Sequence, residues 1–186
     1  MATTFHLLTA GYGGDRVAST VSLVESGSSL VVIDPGMVSS VSAILDPITQ
    51  LGRTAEEVTD VVLSHHHPDH TMNVALFPNA RVHDHWAIYR DDVWTARPAE
   101  GFEVAENVIL WETPGHTVQD ITTIVRDGER TLAFTHLWWY EDAPFHDPLC
   151  TDPDGLHAGR ERVLEVATLI VPGHGAPFAP TAATSR

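Results

Sequence analysis

The segment His65-His66-His67-Pro68-Asp69-His70 constrains this chain more than any other. It follows Asp60-Val-Val-Leu-Ser64, a short apolar run that reads as a buried strand. Alternate side chains of an extended segment project to one side, so His65 and His67 can grip one ion while His66 points away. Beyond the turn at Pro68, Asp69 and His70 can reach a second ion. Neutral imidazole and carboxylate are zinc ligands and also suit iron or manganese. A histidine-rich surface tract would need neither the strand in front nor the aspartate in fifth place.

Two further histidines sit in matching settings, Thr113-Pro114-Gly115-His116-Thr117 and Val171-Pro172-Gly173-His174-Gly175. Each follows an apolar run and a Pro-Gly turn, which lifts a side chain onto the rim of a sheet. Either alone would read as structural. Together with the first cluster they read as ligands. A comparable turn, Asp34-Pro35-Gly36, ends the run Leu30–Ile33.

Strands are expected at Phe5–Ala10, Val17–Glu25, Ala80–His83, Val108–Glu112, Ile121–Arg126, Thr131–Thr135 and Thr168–Val171. Asp127-Gly128 marks a hairpin turn. Helices are expected at Val38–Leu51, kinked by Pro47, at Met72–Phe77, around Trp86–Tyr89 and at Leu156–Ala167. Thr54-Ala-Glu-Glu57 fits a capping box. Strands in both halves with helices between them predict one layered α/β domain over residues 1–180. The Ala/Thr/Ser tail at 181–186 is expected to fray.

Composition narrows the function. The chain carries 25 acidic and 10 basic residues for a formal charge of −15, with no basic stretch. Nucleic acid binding depends on clustered Lys and Arg, so a nuclease reading is disfavoured. No apolar run approaches the roughly 18–20 residues that span a bilayer, and no secretory signal is visible, so no membrane partner is expected. The single cysteine, Cys150, precludes an internal disulfide and suits a reducing cytoplasm. A homodimer is the base-rate expectation.

In their order and setting, Asp34, the His-x-His-x-Asp-His loop, Pro-Gly-His116-Thr and Pro-Gly-His174-Gly resemble the successive motifs of the metallo-β-lactamase superfamily. The likeness spans about Val17 to Phe178. It is closest to the minimal single-domain branch typified by metallo-β-lactamase domain-containing protein 1, whose Pro-Gly-His-Gly-x-Pro-Phe ending matches Pro172–Phe178. The resemblance implies an αββα sandwich with a dinuclear site at one edge. It assigns His65, His67 and His116 to a first metal and Asp69, His70 and His174 to a second. Asp34 would orient a ligand from behind.

One position departs from the pattern. The family carries an aspartate there that bridges both metals, and here the strand Thr131–Thr135 runs into His136. A neutral imidazole offers one ligating nitrogen and no charge, so it bridges two ions only if deprotonated. The swap is expected to weaken the second site, reduce it to one metal or sharpen the Lewis acidity of what binds. Glu141, Asp142 and Asp147 follow closely and are candidates to replace the carboxylate. His6, His83, His85, His146 and His157 lack ligand spacing, and His85 and His146 are the ones expected nearest a pocket. Trp138, Trp139 and Tyr140 are candidates to line a substrate cleft.

The resemblance implies a metal-dependent hydrolase in which a metal-bound hydroxide, oriented by Asp69, attacks a carbonyl, with His136 in the reacting centre. One or two Zn2+ per chain are expected, with Fe or Mn as alternatives. A small-molecule substrate, an apolar ester, thioester or lactone near Trp138 and Trp139, suits so short a chain. Iron-dependent redox or other non-hydrolytic chemistry is the rival reading, prompted by His136. A third reading, a dead enzyme kept for binding, sits poorly with five retained histidines and Asp69.

Overall fold

A computed structural model describes residues 3–186. Two sheets face each other. The first has seven strands in chain order: β1 (Thr3–Thr9), β2 (Val21–Ser26), β3 (Ser29–Ile33), β4 (Asp60–Val62), β5 (Arg81–His83), β6 (Ala87–Arg90) and β7 (Val93–Ala96). Its pairs are antiparallel except β3–β4 and β4–β5, which run parallel. The second holds β8 (Glu103–Ala105), β9 (Val108–Glu112), β10 (Ile121–Asp127), β11 (Arg130–Thr135) and β12 (Leu169–Pro172). Its order is β12-β11-β10-β9-β8, and only β11–β12 is parallel.

Alternation of side chains builds the layers. On β3 and β4, Val31, Ile33 and Val62 turn inward to meet Leu110, Ile121, Leu132 and Phe134 of the second sheet. The intervening Val32 and Val61 turn outward onto Ile44 and Ile48 of α1 (Ser42–Gln50). On the far side, Ile124, Ala133 and Ile170 pack under Leu156 and Val163 of α3 (Pro153–Leu164). The result is the αββα sandwich the resemblance implied. Each fully buried aliphatic side chain in it stabilises the fold by about 1.5–3 kcal/mol.

Several local expectations need correction. Trp86–Tyr89 is not helical: Asp84 Oδ1 accepts from the Trp86 and Ala87 amides and starts β6, which turns back through Asp91 at φ 54° into β7. Tyr89 then faces Trp94 across the hairpin, 4.9 Å between ring centroids. β8, unforeseen, adds an edge to the second sheet. Met72–Phe77 is a 3₁₀ turn at Val74–Leu76 preceded by the short α2 (Pro68–Thr71). The last helix starts earlier than expected because Asp152 caps it through the Gly155 amide, with Pro153 in the first turn. The tail expected to fray folds back, and the Trp138 indole donates to the Ser185 carbonyl at 3.0 Å. Among the described residues no helix is long and apolar enough to cross a membrane.

Candidate metal centre

The histidine-rich loop leaves β4 at the sheet's edge, and its geometry is set from behind by Asp34. Asp34 ends β3 in the left-handed region, φ 51°, a conformation rare outside glycine, asparagine and aspartate. Its Oδ1 accepts from the Ser64 amide at 2.7 Å, and its Oδ2 from the Ser64 hydroxyl at 2.7 Å. The same Oδ2 lies 2.9 Å from His70 Nδ1. With Nδ1 engaged, His70 directs Nε2 forward, and that atom is buried with no hydrogen-bond partner among the described residues. Gly36 is needed beside it, because a Cβ there would sit 1.7 Å from the Asp69 carbonyl oxygen.

His65 and His67 converge as the alternation predicted, while His66 turns away to Asp84, 2.9 Å distant. His67 Nδ1 lies 3.0 Å from His65 Nε2 and 3.1 Å from His116 Nε2. A tetrahedral ion with bonds of about 2.0–2.1 Å spaces its nitrogens by about 3.3–3.4 Å, so the two separations from His67 are close to those of a ligand set, and the ligand atoms of His65 and His116 lie within 4.8 Å of each other. On the other side, Asp69 Oδ2 stands 3.6 Å from His70 Nε2 and 3.5 Å from His174 Nε2. His174 Nδ1 donates to the Ala18 carbonyl at 3.0 Å, which leaves its Nε2 lone pair facing the site.

His136 sits between the two sides. Ligand atoms of His65, His116 and His136 all lie within 4.8 Å of one another, and so do those of His70, His136 and His174. Its ring centroid is 4.3 Å from that of His116 and 4.7 Å from that of His65, and its Nε2 is 3.1 Å from His174 Nε2. Its Nδ1 is buried and unpartnered among the described residues. The approach depends on Gly173, where a Cβ would fall 2.4 Å from His136 Cδ2. Burial, reinforced by the neighbouring imidazoles, holds His136 and His65 well below the ordinary histidine range. His67 and His174 are lowered for the same reasons. His65, His67, His136 and His174 are thereby favoured in the neutral form, the state in which imidazole binds metal. Unpaired buried nitrogens at that spacing fit a divalent ion.

The replacement carboxylates take other roles. Glu141 and Asp142 are exposed. Asp147 is buried, but it serves His116 from behind: its Oδ2 is 3.2 Å from His116 Nδ1 and accepts from the Trp139 indole at 3.0 Å, and its Oδ1 accepts from the Leu149 amide. Burial pushes its carboxyl up, and those three bonds outweigh it and bring it below the usual range. Asp120 holds the turn after His116 by accepting from the amide and hydroxyl of Thr117. Its own burial raises it to about 6. Sequence reasoning missed the partnership of Asp147 with His116, and only the acidic tract after β11 signalled it.

Of the aromatic candidates, Trp139 roofs the histidines, its ring centroid 5.0 Å from His174 and 5.3 Å from His136. Tyr140 lines the adjoining cavity. Trp138 does not reach a cleft: it is fully buried under α3 with Arg160 over its ring. His85 packs against Trp86 and is absent from the cleft lining. His6 pairs with Glu25, His83 with Asp60, and His146 and His157 gather around Phe145, all away from the centre. The cleft over the histidines has a volume of about 410 Å³, walled by Val17, Leu149 and Trp139 with Asp69 and Thr151 at its sides.

Residues 14–176 match the metallo-β-lactamase superfamily profile. Metallo-β-lactamase domain-containing protein 1 of Xenopus laevis is 30% identical over 193 residues, covering 93% of this chain and 80% of that protein. Of the human protein of the same name the chain covers 65%, at 31% identity over 177 residues. A Thermotoga maritima protein described as a metallo-β-lactamase has the same fold at TM-score 0.76 and 21% identity, covering 97% of this chain and all of that one. A protein crystallised in a di-iron-bound form matches at TM-score 0.68 and 22% identity, over 92% and 94% of the two chains. The chain belongs to the metallo-β-lactamase superfamily, whose members are mostly metal-dependent hydrolases.

Proposed function

We propose that the protein hydrolyses a small apolar ester, thioester or lactone, with His65, His67 and His116 on one side and Asp69, His70 and His174 on the other as metal ligands. His136 is shared between them. The observation that carries this reading is the convergence of five buried imidazoles, the exposed His67 and the half-buried Asp69 carboxylate beneath a cleft with apolar walls. When bound, a divalent ion supplies the Lewis acidity that polarises a carbonyl and acidifies water. Zinc suits the donor set, and so do iron and manganese.

The chain's own residues divide the remaining work. Asp34 and Asp147 fix the rings of His70 and His116 and strengthen both as donors. Val17, Leu149 and Trp139 exclude bulk water and hold the apolar part of the substrate. Asp69, whose Oδ2 faces His70 and His174, orients the attacking water and can take its proton. The leaving group would recover a proton from the same carboxyl, since the Thr117 and Thr151 hydroxyls are already donated to Asp120 and the His116 carbonyl.

The all-nitrogen environment of His136 keeps a non-hydrolytic iron enzyme as the second reading. Metal content per chain, measured by mass spectrometry on protein purified without added metal, separates the two when paired with a panel of esters, thioesters and lactones. Zinc with turnover of any panel member is the expected result. Iron alone, with no hydrolysis after zinc exchange, would overturn the hydrolase.

A further inference from the structure

Behind Trp139 lies a second cavity of about 190 Å³, separate from the metal cleft and walled by Trp139, Tyr140, Ala143, Pro144 and Pro148. Its surface is carbon. The two polar side chains at its edge are committed elsewhere: Asp147 to His116, Trp139 and Leu149, and Arg160 to the carbonyls of Leu137, Pro144 and Phe145. One Arg160 nitrogen, Nη2, lacks a partner among the described residues, but it is sealed from solvent.

The cavity is also firmly built. Arg160 is itself fully buried, lies over the Trp138 ring and ties the 144–145 backbone to Leu137, just past β11. Tyr140 is wedged beside Gly13, where a Cβ would fall 2.2 Å from its hydroxyl. Walls held in place before binding spare a ligand the entropy of ordering them. Trp139 is common to both cavities, and Asp147 couples its indole to the ligand His116. A molecule passing over the edge of Trp139 would therefore keep its reacting group among the histidines and its far end in the apolar chamber.

We propose that this chamber is the subsite for a short, uncharged aliphatic arm of the substrate, with Trp139 as the partition and Ala143 and Tyr140 setting the length accepted. The volume falls below the range of drug-sized pockets, which points to a chain of a few carbons instead of a ring system. This rests on the hydrolase reading for the group at the other end of the molecule.

The test is calorimetric titration of the zinc-loaded protein with straight-chain carboxylates from acetate to octanoate, beside turnover of the matching thioesters. Affinity should rise by up to about fourfold per methylene until the chamber fills, then level off. Ala143→Leu, which occupies the chamber, should abolish the rise, and Tyr140→Ala should move the plateau to longer chains. An affinity independent of chain length, or one unaltered in both variants, would overturn the subsite. So would tighter binding of a chain ending in a second carboxylate, because Arg160 would then be reading a charge. Chain-length dependence without turnover of the thioesters leaves the subsite standing and removes the thioester form of the hydrolase reading, and turnover without chain-length dependence leaves the hydrolase and removes the subsite.

Discussion

Two carboxylates perform the same task on opposite sides of the histidine cluster, and they are built differently. Asp34 lies at the end of a central strand, between antiparallel β2 and parallel β4, and holds both Ser64, by two bonds, and His70. Asp147 lies on the loop between β11 and α3 and reaches His116 from 31 residues away, sharing its charge with an indole and one amide. The first is part of the sheet. The second depends on Arg160 to hold its loop against the molecule. The Asp34 side is thus set by the fold, whereas the Asp147 side can be tuned together with the substrate wall that Trp139 forms.

The sharpest way to break the comparison is Asp34→Ala. It strips a buried amide, a buried hydroxyl and His70 Nδ1 of their partner at once. Urea denaturation should show a loss of about 3–5 kcal/mol, the range for breaking a buried charged pair from one side. Equilibrium dialysis should show metal held up to about a hundredfold more weakly. If stability were unchanged, Asp34 would not be the element that welds this side to the sheet.

Asp147→Asn should do less, and do it differently. The amide oxygen can still accept from one donor, so stability should move by under about 1.5 kcal/mol. The affinity for one metal should fall by about tenfold, the lower end for a partner of a ligand. Tryptophan emission should change as well, because the Trp139 indole shares the same oxygen. Equal losses of metal in the Asp34 and Asp147 variants would mean that the loop is as rigid as the strand.

This asymmetry also decided what could be read from the sequence. The His65–His70 segment was legible because its spacing is local and a strand fixes its phase. Asp34, His116 and His174 were legible because each follows a strand and a turn. His136 was legible as a departure from a pattern, not as geometry: that it belongs to two trios at once depends on Gly173, 37 positions away. Asp147 was visible as a nearby acid and misassigned, since its partner is chosen by how a loop folds. Trp138 and Trp139 are adjacent and similar, yet one is core and one is cleft. No periodicity sets the phase of a loop, so tertiary packing alone separates them.

The smallest predicted effect concerns pH, and it sets the histidines against Asp120 on the Asp147 side. In metal-free protein His136, His65, His67 and His174 have lowered pKa values, so below about 6.5 the unfolded chain takes up protons that the folded one refuses. Stability should therefore fall as the solution is acidified from pH 7. Asp120 acts in the opposite sense. Its folded pKa is raised from 3.8 to about 6, so its contribution is fully present below 3.8 and is lost as pH rises through 6. Between those values it offsets part of the loss caused by the histidines. Asp120→Asn removes the offset, and the decline between pH 6 and 4 should steepen by a fraction of the about 1.4 kcal/mol per pH unit that one whole proton gives. Urea unfolding of both proteins in the presence of a chelator, at half-unit steps of pH, measures the two slopes. A shallower slope in the variant would mean that Asp120 is ionised in the folded state at pH 5, and that the turn carrying His116 is held by a carboxylate instead of a neutral carboxyl.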